Sequence, residues 1–231
     1  ITVTWAAKNI NTVKIQLLDP VALTWSDLAT AVPSADGSKK VTLPANLLTR
    51  ADYKIKVTNE DNNTGLESAA FEAIAVVNDL ITLRAVPAGV KVKFAGVATV
   101  TYARTSRNQK YIQDATAAIL IDDPNPAVIT GTYNIGDGIT NIVGKNSLYN
   151  DLIEFVPVSG GEPATGIAIV PEVRTLESLT PADQCKLVKI ENFAFKTPTQ
   201  FDVNGKFPTT AKNFDVEGFD NTLMQFRTGF T

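Results

Sequence analysis

The sequence predicts an all-β protein: a β-sandwich first, then a five-stranded β-barrel, then extra C-terminal β-strands. Two patterns carry that expectation. Apolar and polar residues alternate through most of the chain, the period of two that turns successive side chains to opposite faces of a sheet. Turn-forming pieces such as Asp19-Pro20, Pro33 with Gly37, and the run from Asn59 to Gly65 punctuate the alternation at short intervals.

The first domain is expected over residues 1–76, with strands at 1–7, 13–18, 23–31, 39–43, 52–58 and 66–73. Ile1, Val3 and Trp5 alternate, as do Val13, Ile15 and Leu17, and then Tyr53, Ile55 and Val57. Short antiparallel strands at this spacing suit a sandwich. The acidic and amide-rich loop 59–63 reads as a solvated hairpin loop or as a calcium loop, with only two adjacent acids, Glu60 and Asp61, to serve a cation. Residues 72–79 form a linker strand without Gly or Pro, and the second domain is expected over 77–231.

The second domain is organised around residues 91–123. Val92, Phe94, Gly96, Ala98, Val100 and Tyr102 fall on alternate positions of one predicted strand. Gly96 marks the place where that strand bends. A polar loop, 105–109, leads to a second strand at 111–114. A small turn at 114–116 precedes the apolar run 117–121, and Asp122-Asp123-Pro124 stops it. After a connection at 125–133, strands are predicted at 139–143 and 152–158, joined by a turn-rich 144–150. A long connection at 159–183 carries Gly160-Gly161, Pro163, Pro171 and Pro181. It holds a strand and helical turn within 172–179, and a helix start at Thr180-Pro181. Residues 185–195 form the strongest later strand and are expected to close the barrel. Beyond them, β-like pieces at 200–203, 213–216 and 223–230 are expected as edge strands on it. Phe201, Phe207, Phe214, Phe219, Phe226 and Phe230 are expected to bury against the barrel.

Composition narrows the function classes. There is no His, which removes the usual general base and the His-containing triads, pairs and zinc sites. One cysteine, Cys185, excludes an internal disulfide and a cysteine-cluster metal site. Net charge is −3, so the global field gives no reason to expect nucleic acid. No apolar run is long enough for a membrane-spanning helix. The chain opens inside a predicted strand without a leader or initiator Met, as a trimmed fragment with its targeting segment upstream would. A monomer without cofactor is expected.

Two stretches carry a family resemblance. The order Gly96-Val97-Ala98-Thr99-Val100, polar loop, Tyr111-Ile112-Gln113-Asp114, Thr116, Ile119-Leu120-Ile121, then Ile135-Gly136-Asp137-Gly138-Ile139 and Gly144 resembles an OB-fold module. More narrowly, it is similar to the OB-like domains of Bacteroidetes surface lipoproteins, over about residues 80–200, although Ala117-Ala118 stand where that family usually has glycines. In the N-terminal third, Trp5, the Val13-Lys14-Ile15 strand, Trp25 and Tyr53-Lys54-Ile55-Lys56-Val57 resemble immunoglobulin- or fibronectin-like cell-surface modules. Together these resemblances imply an immunoglobulin-like sandwich followed by an OB-like barrel, on a cell-surface or periplasm-facing outer-membrane lipoprotein.

A candidate binding surface comes from charge. Between Asp79 and Asp114 there is no acidic residue, while Arg84, Lys91, Lys93, Arg104, Arg107 and Lys110 all lie there. Barrels of this class bind oligonucleotides or oligosaccharides on the loop after the first strand and on the adjoining sheet face. Tyr102, Arg104, Arg107, Lys110 and Tyr111 sit there, and aromatic rings beside cations suit stacking on a base or a sugar. The same residues also read as a solvated hairpin tip with its tyrosines packed on the core. The carboxylates Asp114, Asp122, Asp123 and Asp137 read as turn and strand-stop residues, or as a carboxylate pair or cation site. Cys185 beside Lys186 reads as a structural thiol or a reactive one. Three functions are weighed: a non-catalytic surface module for adhesion, presentation or ligand binding; an OB-type binder of single-stranded nucleic acid or oligosaccharide; and an accessory domain of a secreted hydrolase.

Overall fold

The computed structural model describes residues 1–124, 126–196, 212–218 and 224–228. It is all-β, 49% strand against 9% helix, with a closed five-stranded barrel, extra strands outside the ring and additional sheets.

In the N-terminal part, β1 (Thr2–Thr4), β2 (Thr12–Asp19), β3 (Thr24–Pro33), β4 (Ser38–Lys40), β5 (Arg50–Tyr53), β6 (Ile55–Asn59), β7 (Gly65–Glu67) and β8 (Phe71–Ala73) make three sheets. One has the order β3-β2-β6-β7; the others are the pairs β1-β4 and β5-β8. The alternating residues do what their period requires. Val13, Ile15 and Leu17 of β2 and Ile55 of β6 bury against Val3, Val32, Val41, Tyr53 and Ala73 in one apolar core.

The linker strand, β9 (Ala75–Val77), pairs in parallel with β10 (Lys91–Phe94) and so joins the barrel sheet. Thr49 braces this junction: its hydroxyl donates to the Lys91 carbonyl at 2.5 Å and accepts from the Ala75 N–H at 2.8 Å. Between β9 and β10 lies a helix that the strand pattern did not predict, α1 (Leu80–Ala85). Asp79 caps it by accepting from the Thr82 N–H, and Leu80 and Leu83, three apart, share one buried face.

The ring itself comprises β11 (Ala98–Ala103), β12 (Lys110–Gln113), β13 (Ala118–Ile121), β14 (Gly138–Tyr149) and β15 (Leu152–Ala164). Its order is β11-β12-β13-β15-β14, and β14 pairs back onto β11 to close it. β13 and β15 are parallel; the other ring neighbours are antiparallel. β10 and β11 are the two arms of the predicted bent strand, and β14 pairs with both. The bend is at Gly96 for a steric reason: a Cβ there would lie 2.0 Å from the Asn78 carbonyl oxygen. Phe94, Val100, Ile112, Ile119, Ile121, Ile139, Ile142 and Phe155 fill the interior.

Several expectations are corrected. Residues 144–149 are not a turn. β14 runs straight through them, and the reversal is at Asn150 and Asp151, both with positive φ. β15 likewise continues through Gly160-Gly161 to Ala164. The ring closes through this long hairpin, so residues 185–195 are not needed for closure. Only β17 (Val188–Ile190) forms there, paired in parallel with β16 (Glu172–Arg174) outside the ring. The positive φ of Cys185, 66°, breaks the expected run at its start. The turns at Leu176–Ser178 and Pro181–Asp183 form as 3-10 helices, the latter capped by Thr180.

β18 (Lys212–Asp215) and β19 (Gln225–Thr228) pair with each other rather than with the barrel. Phe193, Phe195, Phe214 and Phe226 stack among themselves, with Phe193–Phe195 at 5.2 Å and Phe195–Phe226 at 5.4 Å between ring centroids. Within this cluster Phe214 is buried, 1% exposed, and Phe226 is half-buried. The expected strand at 200–203, with Phe201, Phe207, Phe219 and Phe230, lies outside the described residues.

Candidate functional site

The outer face of β11, β12 and β13 holds the predicted residues, and a single bulge decides which way they point. Val100 pairs with Ile112, but the next pair is Tyr102 with Tyr111, so Thr101 is the extra residue. Strict alternation would have sent Tyr102 into the core behind Val100. The bulge turns it outward instead, opposite Tyr111, and the Thr101 hydroxyl donates to the Tyr111 carbonyl at 3.2 Å. The two rings lie 5.8 Å apart at 57°, half-buried on the outside of the barrel. The register then carries the row across the sheet: Tyr111 is beside Leu120, and Leu120 is beside Glu154 of β15.

Arg104, Arg107 and Gln109 rim this row. Arg104 Nη1 donates to Gln109 Oε1 at 3.3 Å. Arg107, held at φ 53° in the 3-10 turn Ser106–Asn108, pairs with Asp122 through Nε at 2.7 Å and through Nη2. The Asp122 side chain is 4% exposed and that of Arg107 is 58% exposed. Gln109 Nε2 adds a bond to Asp122 at 3.0 Å. Hydrogen bonding from Arg107 holds the Asp122 carboxyl below its ordinary value, while burial, reinforced by the charge of Asp122, pushes Glu154 up. Burial likewise raises the Tyr111 phenol.

Lys110 does not reach this face. It pairs with Ile121 on the inward row and is 3% exposed. Its ammonium donates to Asn108 Oδ1 at 2.7 Å and lies 5.8 Å from the Tyr133 ring centroid. Burial lowers its pKa, with Asp123 opposing. Asp123 is committed below the loop, accepting from Asn108 Nδ2, Val128 N–H and Ile129 N–H, each at 2.8 Å. Asp122 and Asp123 are thus buried anchors of the loop rather than a strand stop alone. The pairing of Arg107 with Asp122 joins residues fifteen apart through the sheet, a link no local spacing displays.

The remaining motif residues are structural. Asp114 Oδ1 accepts from Thr116 N–H, Thr116 Oγ1 and Ala117 N–H, and its Oδ2 accepts from Leu80 N–H. Asp137 closes a turn with Asn134, and its carbonyl accepts from Val100 N–H. Part of the outer face is covered by residues 181–187: the Leu187 N–H donates to Gln113 Oε1, and Cys185 lies against Leu120. Burial pushes the Cys185 thiol up to about 11, the opposite of a reactive thiol. In the 59–63 loop the amide side chains serve the turn itself, Asn59 accepting from Asp61 N–H and Asn62 from Thr64 N–H. Among the described residues no group of three or more His, Cys, Asp or Glu gathers at one point, and no helix is long and apolar enough to cross a membrane.

What remains on the open face is a tyrosine pair, an amide and two guanidinium groups, with the carboxylates of Asp122 and Glu154 buried beneath it. Sequence reasoning identified the tyrosines and arginines but missed Gln109 on the face and Glu154 beneath it. An acidic residue in the strand pattern of 152–158 was the available signal. No protein-family model matches the chain, and no curated protein is significantly similar to it.

Proposed function

We propose that this chain is a non-catalytic, surface-displayed binding module whose barrel takes a neutral oligosaccharide on the outer face of β11 and β12. The observation that carries the reading is the Tyr102–Tyr111 pair, turned outward by the bulge at Thr101 and rimmed by Arg104, Arg107 and Gln109. Half-buried rings offer apolar faces to the C–H side of a sugar, and the surrounding amide and guanidinium groups suit its hydroxyls. The sequence resemblance to surface-lipoprotein modules supports display on a cell surface.

Single-stranded nucleic acid is the weaker reading of the same face. A phosphate backbone needs uncompensated cations. Here Arg107 is neutralised by Asp122 and Lys110 is inside the barrel. Calorimetric titration against neutral gluco-, manno- and galacto-oligosaccharides, and against an oligo-thymidylate strand, separates the two. Binding of a neutral sugar is expected to vary little with salt and to fall at least tenfold in Tyr102→Ala and Tyr111→Ala. Oligo-thymidylate binding that weakens steeply with salt would transfer the face to nucleic acid. No binding of either probe would overturn the assignment of this face.

A further inference from the structure

A second surface lies in the N-terminal sheets, far along the chain from the tyrosine face. Leu66 shows it. Leu66 of β7 is in register with Val57 of β6, and Val57 with Ile15 of β2. Those registers put Leu66 on the inner, core-forming face of its sheet, because Ile15 is fully buried there. Yet Leu66 is 83% exposed. The reason is an open groove of about 920 Å³ between the segments 1–7 and 64–71, floored by Val3, Val13, Ile55, Val57 and Phe71.

The walls of the groove specify what fits. In the β1–β4 ladder, Ile1 exchanges bonds with Val41, and Trp5 N–H donates to the Gly37 carbonyl. Antiparallel alternation therefore turns the backbone groups of Thr2 and Thr4 away from β4. On the other wall, Asn59 N–H bonds the Thr64 carbonyl and Ser68 N–H bonds the Ile55 carbonyl. By the same alternation, Gly65 and Glu67 turn their backbone groups away from β6. Among the described residues, β1 pairs only with β4, and β7 only with β6. The groove thus runs between two strand edges, each with main-chain donors and acceptors directed outward, over an apolar floor. Main-chain ladders at the edges and apolar contacts below match one kind of occupant, a β-strand added to a sheet edge. A wall seven residues long spans about 23 Å of extended chain.

We propose that this groove is a strand-acceptor site, taking an extended peptide segment of another polypeptide whose alternate side chains are apolar. The apolar side chains would cover Leu66 and Val57, while the peptide backbone pairs with the edges at Thr2, Thr4, Gly65 or Glu67. This site is independent of the sugar-binding face.

The test is an NMR titration of the 15N-labelled chain with a lysine-flanked, seven-residue peptide of alternating valine and threonine. A second peptide carries proline at its centre. The expected result is saturable shifts and slowed amide exchange at Thr2 and Thr4, at Gly65 and Glu67, or at both edges. Binding is expected to fall at least tenfold with the proline peptide and with Leu66→Glu, a change at an exposed position that leaves the core residues in place. Failure of the peptide to shift these amides at millimolar concentration overturns the proposal. Equal binding of the proline peptide also overturns it, since the groove would then be an apolar pocket without a ladder. Concentration-dependent dimerisation that protects the same amides without peptide assigns the groove to a second copy and overturns it too.

Discussion

Replacing Asp114 with Asn separates two jobs done by one carboxylate. Oδ1 accepts three hydrogen bonds inside the turn, from Thr116 N–H at 2.7 Å, Thr116 Oγ1 at 2.7 Å and Ala117 N–H at 2.9 Å. Oδ2 accepts one, from Leu80 N–H at 2.7 Å, and that bond ties the turn to the first residue of α1. An Asn has a single oxygen. Three donors keep it in the Oδ1 position, so its NH2 faces the Leu80 N–H, donor against donor. A hydrogen bond to a charged group is worth about 1.5–3 kcal/mol, and Asp114 is half-exposed, so the expected cost of Asp114→Asn is about 2 kcal/mol. Asp114→Ala removes all four bonds; because they share one side chain their costs do not add, and about 3–4 kcal/mol is expected. Urea unfolding measures the loss, and amide exchange locates it: in Asp114→Asn the Leu80 amide should lose protection while Ala117 keeps it. A change below about 0.5 kcal/mol, the range of an ordinary surface substitution, with Leu80 still protected, would refute the claim that this motif residue docks the helix.

Three further outcomes are expected. Gly96→Ala drives a Cβ to 2.0 Å from the Asn78 carbonyl oxygen, so chemical unfolding should show a loss of about 3 kcal/mol unless the bend itself shifts. Glu154 holds its proton more tightly in the folded chain than the ordinary value of 4.5, so the wild type should lose stability as pH rises from about 4.5 through the raised pKa; Glu154→Gln should remove that slope, whereas Asp122, whose pKa is lowered, should show the opposite sign, with stability lost as pH falls below 3.8. Cys185, with its thiol pushed up to about 11 by burial, should resist iodoacetamide at pH 8 until urea opens the fold, and rapid stoichiometric alkylation of the native chain would contradict its placement.

The strand content and the bent central strand were legible because they rest on local facts: alternation at Val92, Phe94, Ala98 and Val100, and a glycine where a Cβ has no room. The long β14–β15 hairpin was misread because Gly144, Asn150, Gly160 and Gly161 look alike in sequence. Gly144 sits inside a paired strand, where a Cβ would crowd the Phe155 ring, while Asn150 makes the reversal. α1 was missed because six residues give too few turns for a helical period to show, although Asp79 and the Leu80–Leu83 spacing were there to be seen. The tyrosine face was half legible. Composition supplied its residues, but only pairing across strands reveals that one extra residue at Thr101 turns Tyr102 outward, or that Lys110 lies on an inward row.

Which residues can specify a ligand follows from which are already committed. Asp114 and Thr116 hold α1, Asp137 holds β11, and Asp123 with Asn108 holds the loop over the barrel mouth. The bonds to the Leu80, Val100 and Ile129 N–H groups satisfy backbone that burial would otherwise leave costly, so these motif residues are constrained by folding before any ligand arrives. A sequence resemblance built on them therefore carries the barrel and not its cargo. Under the proposed function, specificity would rest on the ring faces of Tyr102 and Tyr111 and on the rim of Arg104 and Gln109. If that division holds, exchanging Arg104 should change which sugar binds while leaving stability within about 0.5 kcal/mol of the wild type. Exchanging Asp114 should do the reverse, weakening the fold while sparing sugar selectivity. A variant of Asp114 that folds fully and switches sugar preference would break the division between scaffold and site.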